Sequence, residues 1–307
     1  RARSTGNCSG KNLRSPFTKK RPPTTRRQSQ TNPRPDLRVR ILEHLKTLGV
    51  CLAETHLDQT LHQAENKSWS YLEFLEGVLT QPAESRRQRA SERRIREARF
   101  PAMNTLENFD WQFNAEAIDR LQMEELATGD FIRRRDNLLV AGQSGVGKSH
   151  LLEGIGRRAC LHGYAVRFTT SEELLTDLTA SLADGTTAKR LRYWSRQDLL
   201  IIDGFGFDRI EREQTPQALS LLYKVIDRRS TRRSTALITN IDFEDWNEYL
   251  GDPVMVMALQ DRLVYKAIVF KIEGKSYRAH KAQLLEPPGN RKGPKPKSPE
   301  PHRRTPR

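Results

Sequence analysis

Apolar positions along this chain fall into two rhythms. From Leu37 onward, Val39, Leu42, Leu45, Leu48 and Leu52 recur at about helical spacing, followed by Leu57 and Leu61 and then by Trp69, Leu72, Leu75 and Leu79. This spacing predicts a small all-helical module. Pro82 is expected to break the run, and Ala83–Arg99 reads as a further helix. A linker is expected over residues 101–114, after which Ile118, Leu121, Met123 and Leu126 mark another helical stretch. Beyond it, short apolar runs alternate with helical patterns. Strands are expected at Asn137–Ala141, Ala165–Thr169, Asp198–Asp203, Thr235–Asn240 and Ile268–Ile272, with helices at 148–162, 171–183, 215–229 and 255–267. Continuous apolar strands separated by helices point to a parallel sheet covered on both faces. The expected organisation is α/β, a parallel sheet with flanking helices over residues 115–285, preceded by an all-α domain over residues 37–100.

Composition changes the picture mainly at the ends. The net charge of +15 comes from 53 Lys and Arg against 38 Asp and Glu. Residues 1–40 hold twelve basic side chains and one acid, and residues 286–307 hold seven and two, which leaves a nearly neutral body with 34 basic and 35 acidic residues. Residues 1–36 and 286–307 are rich in Arg, Lys, Pro, Ser and Thr and bury little, so both are expected to be disordered. Their basicity fits a polyanionic partner such as nucleic acid, although a merely solvated tail would have the same composition. Cys8, Cys51 and Cys160 form no C-x-x-C pair, which argues against a disulfide framework or zinc site and fits a reducing, cytoplasmic setting. The seven histidines show no metal-ligand spacing. Apolar runs such as Leu138–Ala141 and Leu199–Ile202 fall far short of the ~20 residues that span a bilayer, so no membrane partner is expected. The basic N-terminus has no apolar core of a secretory signal, and the sequence starts without Met, as a truncated or processed reading frame would.

Chemistry concentrates in a few places. Projected at about 100° per residue, Arg86, Arg87, Arg89, Arg93, Arg94 and Arg96 fall within roughly half of a helix circumference, with Arg99 outside it. This face is a candidate for DNA phosphates or a docking partner, or else a solvated surface with Glu92 and Glu97 as partial counter-charges. Gly142, Gln143, Ser144, Gly145, Val146, Gly147, Lys148 and Ser149 satisfy G-x-x-x-x-G-K-S, in which backbone amides and a helix N-terminus wrap the phosphates of ATP. Its glycines permit close approach, Lys148 is expected to reach the β and γ phosphates, and Ser149 offers its hydroxyl to Mg²⁺. The motif sits between an expected strand and an expected helix, the context it requires. Leu199-Leu-Ile-Ile202 ends in Asp203, as a buried strand delivering one carboxylate toward Mg²⁺ would. Another strand ends at Asn240, where a polar group can orient water near the γ-phosphate. Arg262, beside Asp261, is a candidate for the arginine that completes a neighbouring subunit's site, with an ion pair inside the chain as the alternative.

Taken in order, these motifs resemble the IstB family, the ATP-binding helper proteins of bacterial insertion sequences, which belong with the AAA+ P-loop proteins and are relatives of the DnaC helicase loaders. The likeness runs from about residue 37 to 282. It includes Tyr71-Leu-Glu-Phe-Leu75, Ala98-Arg-Phe-Pro101, Thr105-Leu-Glu-Asn-Phe-Asp110, the P-loop, Leu199–Gly206, Thr239-Asn-Ile-Asp-Phe-Glu-Asp-Trp246, Gly251-Asp-Pro253, Asp261-Arg-Leu263 and Gly274-Lys-Ser-Tyr-Arg278. The resemblance implies an ATPase that forms a homo-oligomer on double-stranded DNA and works with the transposase of the same element in target selection. It also implies little of the C-terminal helical lid of other AAA+ proteins. Family members follow the strand aspartate with a second acid that polarises water, whereas this chain has Gly204 there, with Asp208 the next acid in sequence. A DNA scaffold that holds nucleotide with little hydrolysis is therefore a competing expectation, as is a DnaC-like helicase loader. A small-molecule P-loop kinase is disfavoured, because no acceptor lid is evident.

Overall fold

A computed structural model of the chain describes residues 35–206, 216–250 and 252–285. Asp208, Gly251, residues 1–34 and the tail from residue 286 lie outside the described residues. Of the N-terminal stretch expected to be disordered, Pro35 and Asp36 are described, and they begin the first helix.

The chain divides into two compact units, residues 1–82 and 83–307. The first carries α1 (Pro35–Thr47), α2 (Glu54–Lys67) and the start of α3 (Tyr71–Ala98). Ser70 and Glu73 form a reciprocal capping box at the head of α3: the Ser70 amide donates to Glu73 Oε2 at 2.6 Å and the Glu73 amide to Ser70 Oγ at 3.3 Å. Gly77 lets α2 come close, since a β-carbon there would sit 2.9 Å from the Trp69 ring and 3.1 Å from the Thr60 methyl. Leu57, Thr60 and Val78 are buried, while Leu37, Leu48, Tyr71, Leu72 and Leu75 are exposed.

Pro82 does not break the helix, contrary to the sequence expectation: α3 runs through it, 28 residues in all. Proline removes one backbone donor and costs about 3 kcal/mol in a helix interior. Runs of good helix formers on both sides, with several intact turns each, hold the helix through that single missing bond.

The second unit is built on a five-stranded parallel sheet in the order β2-β3-β4-β1-β5. Its strands are β1 (Asn137–Gly142), β2 (Val166–Thr170), β3 (Leu199–Phe205), β4 (Ser234–Thr239) and β5 (Ala267–Ile272). All five expected strands are present, within two residues at each end, and Asn240 lies just past β4. Alternation along each strand feeds two cores. Leu138, Val140, Phe168, Ile201 and Ile238 face α4 (Arg120–Ala127), α5 (Asp130–Arg134) and α6 (Lys148–Leu161). Leu139, Leu200, Ile202 and Leu237 face α7 (Ser171–Ala183), α8 (Thr187–Ser195), α9 (Pro216–Arg229) and, past the short α10 (Trp246–Leu250), α11 (Pro253–Val264). A last helix, α12 (Tyr277–Leu285), follows β5. Helix α8 was not expected, because only Leu191 and Trp194 of its nine residues are buried.

Residues 95–111 are part of this core. Ala98 and Leu106 are buried, Ile95, Phe100, Phe109 and Trp111 pack against them, and Gly154 of α6 admits Leu106, whose backbone nitrogen would lie 2.9 Å from a β-carbon. The stretch read as a linker thus lies across the start of α6. Near the N-terminal ends of the interior strands β3 and β4 Arg229 is fully buried and donates to Thr235 Oγ1 (3.0 Å) and to the carbonyl oxygens of Gln197 (2.9 Å), Trp194 (3.3 Å) and Ser234.

Candidate nucleotide-binding site

Strand β1 ends in a loop that must turn tightly beside β5. Gly142 has φ +151°, and a β-carbon there would run into the carbonyl oxygen of Ile272. At the other end of the loop Gly147, at φ +103°, leads into α6, and a β-carbon would meet the Phe109 ring at 2.9 Å. Substituted residues would clash at both positions, so glycine is what allows the backbone to form a cradle under a helix N-terminus. Lys148, the first residue of α6, turns back over this loop: its Nζ donates to the carbonyl oxygens of Gly142 (2.7 Å) and Gln143 (2.8 Å) and to Asn240 Oδ1 (2.7 Å). The adjacent ends of β1 and β4 are thereby tied through one ammonium group.

Around this loop lies a cavity of about 580 Å³, within the range of small-molecule sites. Its walls include Ser144–Ser149, Asp203, Gly204 and Asn240, so the structure brings together most of the residues that the sequence assigns to nucleotide and metal binding. Gly142 and Gln143 contribute through the carbonyls that hold Lys148. Burial pushes the Lys148 ammonium down to about 8; the Asp203 carboxylate opposes this and Arg278 adds to it. The Ser149 hydroxyl and Asp203 carboxylate line the same cavity as hard oxygen donors, which is the donor chemistry magnesium takes.

Gly204 also lines the cavity, with φ +74° and no heavy atom within 4 Å of where a β-carbon would stand. There is room for a side chain, yet the backbone is in the region that glycine favours. Two further carboxylates line the cavity, Asp110 and Glu153. Glu153 of α6 is 2% exposed and accepts a hydrogen bond from Asn104 Nδ2 at 3.0 Å through Oε1. Burial raises its pKa above the usual carboxylate range, the Asn104 bond, the Ala102 amide and Arg157 oppose the rise, and Asp203 adds to it.

Arg262 is not at this cavity. It lies on α11, donating from Nε to Asp227 Oδ1 at 2.9 Å and from Nη1 to Asp261 Oδ2 at 2.5 Å, beside a separate surface cavity with Arg228, Arg232 and Tyr265. Along α3, Arg86, Arg87, Arg89, Arg93 and Arg96 are exposed; Arg93 lies 3.9 Å from Glu97, and Arg94 is half-buried and influences the buried Cys160 thiol.

Several cavity residues escaped sequence reasoning. Phe109, Phe113, Asn108 and Asn114 come from the stretch read as a linker, and His150, Tyr277 and Arg278 complete the wall. They form a connected rim: His150 Nε2 lies 2.8 Å from Asn108 Oδ1, Asn114 exchanges two 3.1 Å hydrogen bonds with the Lys275 backbone, and the rings of Phe113 and Tyr277 meet edge-on at 5.0 Å. The Tyr277 amide donates to the Gly145 carbonyl at 2.9 Å, fastening the start of α12 onto the loop. The available signal was the aromatic content of residues 109–113.

A family model described as IstB-like ATP binding protein matches residues 43–284. Among individual proteins, the chain is 35% identical over 223 residues to the ATP-binding protein of insertion sequence IS21 from Pseudomonas aeruginosa, covering 73% of this chain and 82% of that protein. It is 31% identical over 251 residues to the corresponding protein of IS5376 from Geobacillus stearothermophilus, covering 81% and 98%. Similar solved structures include DnaI, at 20% identity and a TM-score of 0.46 over 55% of this chain and 91% of that one. The DnaC helicase loader is 19% identical, with a TM-score of 0.42 over 53% and 97%.

Proposed function

Because the chain belongs to the family of IstB-like ATP-binding proteins, we propose that it is an ATP-dependent transposition helper that assembles as a homo-oligomer on duplex DNA. In that assembly it acts with the transposase of its own mobile element in target selection. The observation that carries the reading is the convergence of Lys148, Ser149, Asp203 and Asn240 on one cavity beneath a glycine-lined loop. The loop amides and Lys148 bind the triphosphate, and Asn240, already bonded to Lys148, senses the γ-phosphate. Ser149 and Asp203 would hold magnesium, mostly through water, and the ion when bound draws charge from the phosphates. Arg262, away from its own subunit's cavity, is supplied to a neighbour's site on assembly. ATP favours the assembled form by binding it more tightly than the free chain, as linkage requires.

For DNA we assign the exposed arginines of α3, Arg86, Arg87, Arg89, Arg93 and Arg96, with Arg94 as a lesser contributor. Electron microscopy of the chain with duplex DNA, with and without ATP and Mg²⁺, tests the reading, and ATP-dependent assemblies on DNA are expected. Changing the five exposed arginines to Gln should weaken DNA binding and flatten its salt dependence. Unchanged affinity would refute the assignment of that face.

Gly204 favours a second reading, a nucleotide-binding DNA scaffold with little hydrolysis. ATPase rates of the native chain and Gly204→Glu separate the two, since equal, substantial rates in both exclude the scaffold.

A further inference from the structure

We propose that the N-terminal unit binds a second copy of the chain, the apolar stripe of α1 in one copy lying parallel on the apolar stripe of α3 in the other. The contact needs neither nucleotide nor DNA, so it goes beyond ATP-favoured assembly and stands or falls separately from it.

Two faces of this unit carry apolar surface that it does not cover itself. On α3, Leu72, Leu75 and Leu79 recur at i, i+3 and i+7, and all three are exposed, Leu72 at 79%. They lie on the side of the helix away from Gly77, whose missing β-carbon makes room for Trp69 and Thr60, and from the buried Val78. On α1, Leu37, Ile41 and Leu48 are exposed at i, i+4 and i+11, the Leu48 amide carrying the helical bonding on with a 3.0 Å bond to the His44 carbonyl. A different side of α1 is turned to α2, marked by Arg38, which ion-pairs with Asp58, and by the half-buried Leu42 and Leu45. Both spacings are those of a heptad seam, in which side chains of one helix enter the gaps of another.

Between residues 35 and 82 only Leu57 and Val78 are buried apolar side chains, a small core for three helical segments. The six stripe residues together with Tyr71, 91% exposed, leave on the order of 800 Å² in water, one partner's share of a standard-size interface. The ends of the chain do not have the side chains to cover this area. Residues 1–34 supply only Leu13 and Phe17 as large apolar residues, and residues 286–307 supply none.

Charge identifies the occupant. With Leu37 and Ile41 at d and a of the α1 seam, Arg40 stands at g; with Leu72 and Leu75 at a and d of the α3 seam, Glu76 stands at e. Both are exposed, and neither has an ion-pair partner among the described residues. Positions e and g are where a parallel seam forms the ion pairs that set partner choice. Joining α1 to α3 of another copy brings Arg40 to Glu76, so the two faces complement each other.

Sedimentation equilibrium of the full chain, without nucleotide or DNA, tests the contact. The native chain is expected to run above the monomer mass at ~10 μM. Arg40→Glu and Glu76→Arg should each weaken association about fivefold, the scale of an exposed pair, and the double variant, which exchanges the two charges, should regain the native strength. Leu75→Asp should weaken it by ~10²-fold or more, as a charge buried in the seam would. A native chain that stays monomeric up to ~100 μM overturns the proposal, as does a double variant no stronger than the single ones. Should the chain stay monomeric and bind the transposase through a surface that Leu75→Asp abolishes, the stripes serve that protein and self-association is overturned.

Discussion

The Lys148 ammonium makes nucleotide affinity a function of pH in a range where an ordinary lysine would not. Burial behind the loop holds its pKa at about 8, against 10.5 for a free side chain. The protonated form is the one that meets phosphate, and bound phosphate raises the pKa, so binding is accompanied by proton uptake once the pH exceeds about 8. The sign follows: affinity is full below that value and falls as the pH rises through it. With a pKa of about 8, the protonated fraction drops from ~0.9 at pH 7 to ~0.1 at pH 9, which weakens ATP binding roughly tenfold, or ~1.4 kcal/mol. Titration calorimetry with a non-hydrolysable analogue at pH 7, 8 and 9, in buffers of different ionisation enthalpy, measures both affinity and proton uptake. Lys148→Arg is the control, because guanidinium stays charged throughout and its affinity, whatever its level, should not change over the same range. A native chain whose affinity is flat from pH 7 to 9, with no proton uptake at pH 9, would refute the reasoning.

Two further outcomes follow from the geometry. Replacing Arg229 by Ala leaves four acceptors, three of them buried, without their donor and opens a cavity at the starts of β3 and β4; urea denaturation should show a loss of about 3–5 kcal/mol, and a loss under about 1 kcal/mol would mean the carbonyls find other partners. Arg262→Ala should leave analogue affinity of the unassembled chain unchanged and lower DNA-dependent hydrolysis by ~10³-fold or more. Mixing it with Lys148→Ala subunits, which retain Arg262, should restore hydrolysis; an unaffected rate in Arg262→Ala alone would reduce that arginine to its ion pair with Asp227.

The parallel sheet was legible because its central strands β1, β3 and β4 are buried on both faces and carry apolar runs, and because the loop motif sits where strand gives way to helix. Local chemistry failed where tertiary packing decided the outcome. Pro82 reads as a stop, yet the turns on either side of it carry α3 through. Residues 101–114 have no helical or strand period, so nothing in their spacing revealed that Leu106 enters the core or that Phe109 and Phe113 line the cavity. Nothing in the spacing of α6 marks Glu153 as buried, because its burial and its bond to Asn104 depend on neighbours distant in sequence.

The left-handed backbone at Gly204 bears on which substitutions the strand end can accept. A point mutation introducing glutamate there would find open space but would place a β-carbon on a peptide conformation that costs ~1–2 kcal/mol for most L-residues. A side chain at this position is penalised before any benefit to hydrolysis is felt, so the strand end itself resists gaining an acid even though the space for one is open.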